Sequence, residues 1–582
     1  MGSLLEIKNL SVAFGSDRQE SKVVSGIGFS IAPGETVGLV GESGSGKTMT
    51  ALSIMQLLPG KGRITGGDVV MHDPSPVSLL SLSQKELRQY RGRRIAMIFQ
   101  EPMTSLNPVL TCGFQVAEAI RAHRHVSAAE GRAETIAWLK KTKLEDPERI
   151  YASYPHQLSG GQKQRVMIAM AICNNPALLI ADEPATALDT TVQAAILSLL
   201  GDLQKETGMS ILLISHDLRV VAQTAHRMLV MMNGKIVEQG ATGEIFSSPQ
   251  HPYTKSLLAC VPPASFRCHT LPVISDFMTT TLEGKIIETG ANAEALLQSR
   301  RVDEEDRKTS LQKVYSMEPV LRVKDLSVSF SGEGLFAGNG HVKAVDNISL
   351  EIYPGETLGL AGESGSGKTT LAKAMARLVE PEAGKILFQG RDFLKLEGEE
   401  LRNMRRHIQV IFQDPYASLN PRMKTGHAIT EPMRAHGLFG SSAGRKEAAM
   451  DLLTRVGLDE SDFEKYPDQF SGGQRQRICI ARALGLSPRL VICDESVSAL
   501  DVSVQALVLN LLNELKRDFG FSYLFISHDL SVVRFMSDRI AVMKDGRFEE
   551  IGETESVYHH PKSPYTRQLL DAIPGSPEPA TA

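Results

Sequence analysis

Short, unbroken apolar runs recur along the chain, and polar or glycine-rich residues follow each of them at once. The clearest are TVGLV (36–40), ALLIA (177–181) and ILLIS (211–215) in the first half, and LVIC (490–493) and YLFIS (523–527) in the second. A strand covered on both faces of a parallel sheet has this continuous pattern, whereas a strand with one face in water alternates apolar and polar residues. The pattern predicts buried parallel strands, as in an α/β fold.

The run at 36–40 opens a strand–turn–helix unit. It leads directly into GESGSGKT (41–48), and the segment MTALSIMQLL (49–58) follows, ending at Pro59-Gly60. Proline and glycine at that point predict the end of a helix. The same eight letters return at 362–369, which predicts a second unit of the same kind.

Other segments also occur twice, and their starting positions differ by 313 residues for one pair and by 312 for three more. A spacing held this closely indicates two copies of one domain, each of roughly 260 residues. We place the domains at 1–262 and 318–582, with a C-terminal extension of the first copy and a linker at 263–317. The repeated segments are IFQEPMTSLNP (98–108) and IFQDPYASLNP (411–421), QLSGGQKQR (157–165) and QFSGGQRQR (469–477), ISHDL (214–218 and 526–530), and HPYTKSLL (251–258) and SPYTRQLL (563–570).

Two stretches fall outside this register. The two glycine-rich segments are 321 residues apart, so the first copy carries about eight extra residues before position 98. The segment HDPSPVSLLSLS (72–83) accounts for them and predicts a surface loop. Within the linker, RRVDEEDRK (300–308) predicts a solvated helix or loop, because runs of charge usually face water.

Composition narrows the class of protein. The 582 residues include 63 Lys and Arg against 67 Asp and Glu, and a net charge of −4 provides no bulk attraction to nucleic acid or anionic lipid. No apolar run approaches the roughly 18–20 residues that span a bilayer, and the start, MGSLLEIKNL, predicts no signal peptide. The six cysteines contain no CxxC, which argues against a metal site or a disulfide framework and suits a reducing cytoplasm.

The glycine-rich segment has the chemistry of a phosphate-binding loop (P-loop). Gly44 and Gly46 let the backbone curl so that its N–H groups face phosphate oxygens, and the helix N-terminus adds a favourable dipole. Lys47 is placed to neutralise the β- and γ-phosphates, and Thr48 to offer its hydroxyl to Mg²⁺. We therefore predict that the chain binds ATP and Mg²⁺. The second copy repeats the set with Gly365, Gly367, Lys368 and Thr369.

Two apolar runs end in a pair of acids. Asp182 and Glu183 follow the first run, and Asp494 and Glu495 follow the second. Alone, such an ending is often only a strand leaving the core; after a P-loop, the catalytic interpretation is stronger. We predict that the aspartates hold the metal and that the glutamates polarise the attacking water.

The segment LSGGQ (158–162) completes a resemblance to the ATP-binding-cassette (ABC) ATPases, which covers nearly all of both halves. The resemblance implies tandem P-loop NTPase domains, each with a RecA-like core, an antiparallel β subdomain and a helical subdomain, here about 101–157 and 414–470. It also implies a head-to-tail arrangement, in which the serine–glycine signature of one half closes on the P-loop of the other. Two P-loops and two signatures in one chain fit that arrangement.

The resemblance assigns each residue to one of two composite sites. Gln100 and Gln413 are similar to the family's Q-loop glutamine, which touches Mg²⁺ and water, and His216 and His528 to its switch histidine. The first site takes its P-loop from Gly41, Ser43, Gly44, Ser45, Gly46, Lys47 and Thr48, adds Gln100, Asp182, Glu183 and His216, and receives Ser471, Gly472, Gly473 and Gln474. The second takes Gly362, Ser364, Gly365, Ser366, Gly367, Lys368 and Thr369, adds Gln413, Asp494, Glu495 and His528, and receives Ser159, Gly160, Gly161 and Gln162.

Two aromatic residues occupy the place of the family's adenine-stacking ring. Phe14 and Phe330 each stand in the pattern LSV-x-F. The alternative, an ordinary strand phenylalanine, stays open, because ring stacking tolerates many sequences.

The segments after the glutamines and the two tyrosine-containing tails are similar to the ATPases of oligopeptide, dipeptide and nickel importers, and the fused layout to those of microcin C, peptide or glutathione importers. This implies two integral membrane permease subunits as partners, a solute-binding protein as an indirect one, and a peripheral position at the cytoplasmic face of a bacterial inner membrane. The alternative is a soluble paired-cassette ATPase acting on the ribosome or nucleic acid. The long, strongly charged linker of the paired-cassette translation factors is missing from this sequence, and so are the zinc-binding cysteines of the DNA-repair members. No nucleic acid partner is therefore expected.

Overall fold

The computed structural model describes residues 2–16, 19–100, 105–185, 188–281, 285–331 and 341–573. The chain forms two compact units, and their sequence ranges interleave. The first contains Met1–Leu258 and Ile274–Gly290, and the second contains Ala259–Val273 and Ala291–Ala582. The segment that follows the first cassette is therefore divided between the two units, which the repeat pattern did not predict.

The core of the first unit is a six-stranded sheet. Its strands run parallel except for one antiparallel edge strand. The strands at 36–40, 178–182 and 210–215 are buried along their whole length, as the apolar runs predicted. In spatial order the strands are Lys235–Ala241, Arg227–Met232, Thr36–Val40, Ser210–Ser215, Leu178–Asp182 and Ile95–Ile98.

An antiparallel sheet accompanies this core, in the order Gln19–Ile31, Leu5–Ser16, Arg63–Met71 and Val77–Ser78. The last strand lies inside the segment 72–83 that was predicted to be a surface loop. A 3₁₀ helix, Leu79–Ser81, follows it, and the side chain of Leu79 is completely buried. The loop prediction was wrong for these residues because an apolar side chain of the insertion packs into the core.

Helices of the first unit pack on the core sheet, and a run of helices follows the strand at 95–98 and shares its hydrophobic core. In that region Ser127 and Glu130 form a capping box, which fixes the start of the helix Ala128–Lys141. Residues 101–104, in the predicted helical subdomain, lie outside the described ranges. The helices are Lys47–Ile54, Gln84–Tyr90, Cys112–Arg121, Ala128–Lys141, Pro147–Ala152, Gly160–Ile172, Thr190–Thr207, Leu218–Thr224, Thr242–Ser247, Pro252–Ala259 and Ile274–Phe277, with a two-stranded sheet Met278–Thr280 and Ile286–Glu288.

The second unit repeats this architecture. Its core sheet has the order Ile408–Ile411, Leu490–Asp494, Ser522–Ile526, Thr357–Ala361, Arg539–Lys544 and Arg547–Glu553, and its antiparallel sheet the order His341–Ile352, Leu321–Ser331, Ala383–Phe388 and Arg391–Asp392. Its helices are Ala293–Ser299, Glu304–Tyr315, Lys368–Met375, Gly398–Arg405, Pro415–Ser418, Thr425–Ala435, Ser442–Arg455, Gly472–Leu484, Val502–Phe519, Leu530–Met536, Thr554–His559 and Pro564–Asp571. No helix in the described ranges of either unit is both long enough and apolar enough to cross a membrane.

The linker charge run is not a solvated segment throughout. The helix Glu304–Tyr315 begins inside it, and Arg307, whose side chain is 11% exposed, donates through Nη2 to Asp538 Oδ1 over 3.0 Å. Burial would raise the pKa of Asp538, but the charges of Lys516 and Arg307 outweigh it and hold that pKa well below its ordinary value. Leu271 and Asn510 exchange two further hydrogen bonds, of 2.7 and 2.8 Å. The parts of the linker at 259–273 and from 291 onward thus pack as parts of the second unit.

Candidate nucleotide-binding and catalytic site

Each predicted P-loop joins a buried strand to a helix that begins at its lysine. A β-carbon at Gly41 would lie 2.2 Å from the carbonyl oxygen of Met231, so only glycine fits there. Gly46, which precedes the helix Lys47–Ile54, has φ 106°, a left-handed conformation that favours glycine. Gly362 and Gly367 repeat both features in the second unit, with φ 149° and 104°.

The P-loop lysine is buried within its own loop. Lys47 Nζ donates to the carbonyl oxygens of Gly41 and Glu42, both at 2.8 Å, and the residue is 5% exposed. Lys368 Nζ makes the equivalent bonds, also at 2.8 Å, and lies 4.0 Å from Glu495 Oε1. The loop thus concentrates a positive charge beside backbone N–H groups, which is the environment a phosphate group needs.

Behind the lysine, a hydroxyl group and a carboxylate meet. Thr48 Oγ1 donates to Asp182 Oδ1 over 3.3 Å, and Thr369 Oγ1 to Asp494 Oδ1 over 3.0 Å. Burial raises the pKa of Asp182 to about 6, and the neighbouring charge of Glu183 adds to that rise. Burial likewise raises the pKa of Asp494. A nearby cation would favour the ionised form of both carboxyl groups.

This pair of oxygens fits Mg²⁺. Magnesium prefers hard oxygen ligands and is commonly held by one or two protein groups together with substrate phosphates and water. Among the described residues there is no group of three or more His, Cys, Asp or Glu side chains that could hold a metal by itself. Thr48 with Asp182, and Thr369 with Asp494, are therefore candidate protein ligands, and the contact of Gln100 and Gln413 with Mg²⁺ stays a prediction.

The glutamate next to each metal-site aspartate lies close to two other side chains, a glutamine and a histidine. Glu183 Oε2 accepts a hydrogen bond of 2.9 Å from Gln100 Nε2 and lies 3.2 Å from His216 Nδ1. Glu183 has φ 49°, a strained conformation for a residue with a side chain, and its N–H is held by Ile214 O at 3.0 Å. Backbone strain of this kind concentrates at functional sites.

The second unit has the same contacts with small differences. Gln413 Nε2 donates to Glu495 Oε2 over 3.0 Å, and His528 Nδ1 lies 3.7 Å from that oxygen. Burial would raise the pKa of Glu495, but the nearby His528, together with the charge of Lys368, lowers it below its usual value. In the first unit, burial disfavours protonated His216, but the hydrogen bond and charge of Glu183 outweigh burial and raise the histidine pKa.

The serine–glycine signatures form helix N-termini. Ser159 Oγ accepts the N–H of Gln162 at 3.3 Å, and Gln162 Oε1 accepts the N–H of Ser159 at 3.1 Å, forming a capping box. Ser471 and Gln474 form the same box, at 3.3 and 3.0 Å. Gly160 and Gly161 begin one helix, and Gly472 and Gly473 begin the other. Their part in nucleotide binding stays a prediction.

The two candidate stacking rings have different surroundings. Phe14 is half-buried against the core, and a β-carbon at Gly62 would lie 2.8 Å from its ring. Phe330 is 45% exposed. Adenine stacking by either residue stays a prediction.

Sequence reasoning missed one pair of residues at the loops. The hydroxyl of Tyr253 accepts the N–H of Glu42 at 3.0 Å, and that of Tyr565 accepts the N–H of Glu363 at 3.1 Å. The only signal was the repeated PYT of the two tails, which suggested a subfamily and not a position beside the P-loop.

Comparison with known proteins finds the same two family matches in each half of the chain. Residues 24–186 and 345–498 match the family described as ABC transporter, and residues 237–283 and 550–581 match the oligopeptide/dipeptide transporter C-terminal region. The glutathione import ATP-binding protein GsiA of Escherichia coli strain K12, like that of Shigella dysenteriae serotype 1, is 47% identical over 578 residues, which is 98% of this chain and 90% of the relative.

A solved structure is also similar. It is a dimeric, post-hydrolysis state of the ATP-binding cassette MJ0796 bound to ADP and Pi, with 29% identity and a TM-score of 0.37 over 40% of this chain and 98% of that one. The family matches confirm the predicted fold class of tandem P-loop NTPase domains. The chain belongs to the ABC transporter family, as an ATPase with two ATP-binding cassettes in one polypeptide.

Proposed function

We propose that this ATPase drives a bacterial importer for glutathione, peptides or related small solutes, and that both of its nucleotide sites are competent. The solute class rests on the import function in the names of the relatives and on the match to the oligopeptide/dipeptide transporter C-terminal region. We propose that both sites are competent because a glutamine and a histidine lie beside the catalytic glutamate in each unit.

In the proposed mechanism, Lys47 and Lys368 bind the β- and γ-phosphates of ATP, and the backbone N–H groups of the loops complete that binding. Bound Mg²⁺ would supply charge neutralisation on the phosphates. Glu183 and Glu495 orient and polarise the attacking water, and Gln100 and Gln413 position those carboxylates through the hydrogen bonds described above. His216 and His528 lie near the same carboxylate oxygens and contact the γ-phosphate, as the resemblance implies.

Single-turnover hydrolysis tests the competence of each site. Glu183→Gln and Glu495→Gln keep the shape of the side chain and remove the charge that polarises water. Each substitution alone should lower the amount of ATP hydrolysed per chain, and the double variant should reduce it to background. If one of the single substitutions leaves hydrolysis unchanged, the claim of two competent sites is wrong.

We further propose that each site is completed by the signature of the other cassette, as the resemblance implies. The test uses a chain in which Lys368→Ala disables the second P-loop. Ser471→Ala should then slow the remaining hydrolysis at least tenfold, whereas Ser159→Ala, the matched control, should change it less than twofold. The reverse result would mean that each cassette acts with its own signature.

Permease subunits are the proposed partners, and a surface beside each Q-loop glutamine supports this. In the first unit a cavity of about 570 Å³ is lined by Phe99, Ala119, Met167 and Met170, and Phe99 is 42% exposed immediately before Gln100. In the second unit Phe412, 39% exposed, stands in the same place before Gln413, but the cavity beside it, of about 720 Å³, is also lined by charged residues such as Lys373 and Arg405 and by the site residues Thr369 and Asp494. An apolar surface adjoining a residue that bonds the catalytic glutamate could transmit a partner's position to the site.

A transport assay tests the partners and the solute class. The chain would be reconstituted with its genomically adjacent permeases and solute-binding protein in vesicles, with ATP on the outside face of inverted membranes. We expect ATP-dependent movement of glutathione or a short peptide, abolished by Glu183→Gln with Glu495→Gln. Phe99→Asp should uncouple transport from ATP binding. Nucleotide-dependent co-sedimentation with ribosomes, without transport, would overturn the proposal in favour of the soluble alternative.

A further inference from the structure

One buried tyrosine contacts the start of each P-loop. In the first unit, Tyr253 OH accepts the N–H of Glu42 at 3.0 Å and lies 3.3 Å from Glu42 Oε2, so backbone and side chain of one glutamate meet one hydroxyl group. In the second unit, Tyr565 OH accepts the N–H of Glu363 at 3.1 Å. The tyrosines are 1% and 5% exposed. The same contact in both copies shows that it belongs to the architecture and is not an accident of one loop.

The glutamate that the tyrosine holds also anchors the P-loop lysine. The carbonyl oxygen of Glu42 accepts Lys47 Nζ at 2.8 Å, and that of Glu363 accepts Lys368 Nζ at the same distance. One residue of the loop is therefore bonded through its N–H to the tyrosine and through its carbonyl group to the lysine. A change at the tyrosine reaches the lysine ammonium through a single residue.

The tyrosines stand on helices outside the nucleotide-binding core. Tyr253 lies in Pro252–Ala259, and the backbone N–H groups just before that helix, at Gln250 and His251, donate to the carboxylate of Glu238 at 2.7 and 3.0 Å. In the second unit, Lys562 and Ser563 donate in the same way to Glu550, which holds the start of Pro564–Asp571. Each tyrosine is therefore supported at its base by the antiparallel edge strand of the core sheet.

We propose that Tyr253 and Tyr565 are positioning residues that set nucleotide affinity by holding the first peptide of each P-loop. Both tyrosines lie within the segments that match the oligopeptide/dipeptide transporter C-terminal region. In this proposal those segments take part in nucleotide binding through the two hydroxyl groups. The inference rests on the proposed role of Lys47 and Lys368 in phosphate binding.

The chain supplies a matched control on the same helices. Thr254 and Thr566, the next residues along, are fully buried, and their hydroxyl groups have no hydrogen-bond partner among the described residues. Thr→Val at these positions removes a hydroxyl group of the helix without touching the P-loop, and it should leave stability unchanged or slightly higher.

The experiment measures binding of a fluorescent ATP analogue to the full chain, with one P-loop silenced at a time. Tyr253→Phe is studied together with Lys368→Ala, and Tyr565→Phe together with Lys47→Ala. We expect each Tyr→Phe change to weaken binding roughly fivefold to tenfold, which is the worth of one buried hydrogen bond. KM for ATP should rise by the same factor, kcat should change less than twofold, and Thr254→Val and Thr566→Val should bind like their parents.

Three results would decide against the inference or its basis. Unchanged affinity in both Tyr→Phe variants overturns the inference. So does equal weakening by the Thr→Val controls, because the effect would then be general loosening of the helix. If the chain with both Lys47→Ala and Lys368→Ala binds the analogue as tightly as the unmodified chain, the proposed function of the lysines fails instead, independently of the tyrosines.

Discussion

His216 Nδ1 lies 3.2 Å from Glu183 Oε2, and this contact joins the ends of two neighbouring parallel strands. The strands Leu178–Asp182 and Ser210–Ser215 end at the same edge of the core sheet, and the two side chains project from the residues that follow them. The charge of Glu183 favours the protonated histidine. The ion pair is therefore lost as the pH rises and His216 gives up its proton.

The first prediction concerns that dependence. The folded-state pKa of His216 is raised above its ordinary value of 6.5, so the pair's contribution to stability is complete below about pH 6.5 and is lost as the pH rises through the folded pKa. Glu183→Gln should lower the pKa of His216, measured by NMR titration of the imidazole. Glu495→Gln, in the other unit, should leave it unchanged. An unaltered His216 titration in Glu183→Gln would contradict the assigned cause.

The second prediction concerns the linker helix. Arg307→Ala leaves Asp538 with one fewer cation in a largely buried place, and we expect it to reduce the free energy of unfolding of the second unit by about 3 kcal/mol. Lys308→Ala, an exposed neighbour on the same helix, should change it by less than about 0.5 kcal/mol. Thermal and denaturant unfolding measure both. Equal stability of the two variants would show that the ion pair is not structural.

The same ion pair predicts an acid sensitivity. The pKa of Asp538 is lowered in the folded state, so its contribution is present above the unfolded pKa, about 3.9, and is lost as the pH falls below that value. Asp538→Asn should remove this part of the acid dependence and lower stability at neutral pH. A variant as stable as the unmodified chain at neutral pH would contradict the assignment.

The third prediction uses two adjacent glycines of the second signature. A β-carbon at Gly473 would lie 2.4 Å from Val504 Cγ1, whereas one at Gly472 would have no atom within 4 Å. Gly473→Ala should therefore destabilise the unit by about 1–3 kcal/mol through overpacking, and Gly472→Ala should not. Adding Val504→Ala should recover part of the loss. If the two alanine variants have equal midpoints of unfolding in urea, the helices Gly472–Leu484 and Val502–Phe519 do not pack as closely as described.

The fourth prediction concerns the thiols. All six cysteines are buried and none of them forms a disulfide, and burial raises the pKa of Cys268 to about 11 and that of Cys173 to about 12. The thiolate is the reactive form. A thiol reagent should therefore label fewer than about one cysteine per native chain and all six after denaturation. Rapid native labelling would indicate an exposed thiol.

Much of the site could be predicted from sequence because its parts are local. The strand, the glycine turn and the lysine-headed helix occupy one continuous segment, and Asp182 and Asp494 end their own strands. Parallel strands in turn bring their carboxyl ends to one edge, which is why residues from separate segments, such as Gln100 and His216, meet at Glu183.

Other features could not be predicted from the sequence. The sequence predicted a surface loop at HDPSPVSLLSLS (72–83), since proline and serine suggest a turn. In the structure Leu79 is completely buried in the core. The sequence also predicted that the linker charges face water, but Arg307 forms an ion pair with Asp538. In both cases the position of one residue within a polar segment depends on a partner far away in the sequence. The average composition of the segment does not reveal that partner.

By itself, the sequence determined that the chain is two copies of one ATPase domain and where each phosphate loop begins, because these depend on repeats and on neighbouring residues. Only the tertiary structure decided that the segment after the first cassette is shared between the units, and that Tyr253 and Tyr565 hold the loops. Those contacts join residues more than 200 positions apart, and the packing that brings such residues together leaves no periodic pattern along the chain.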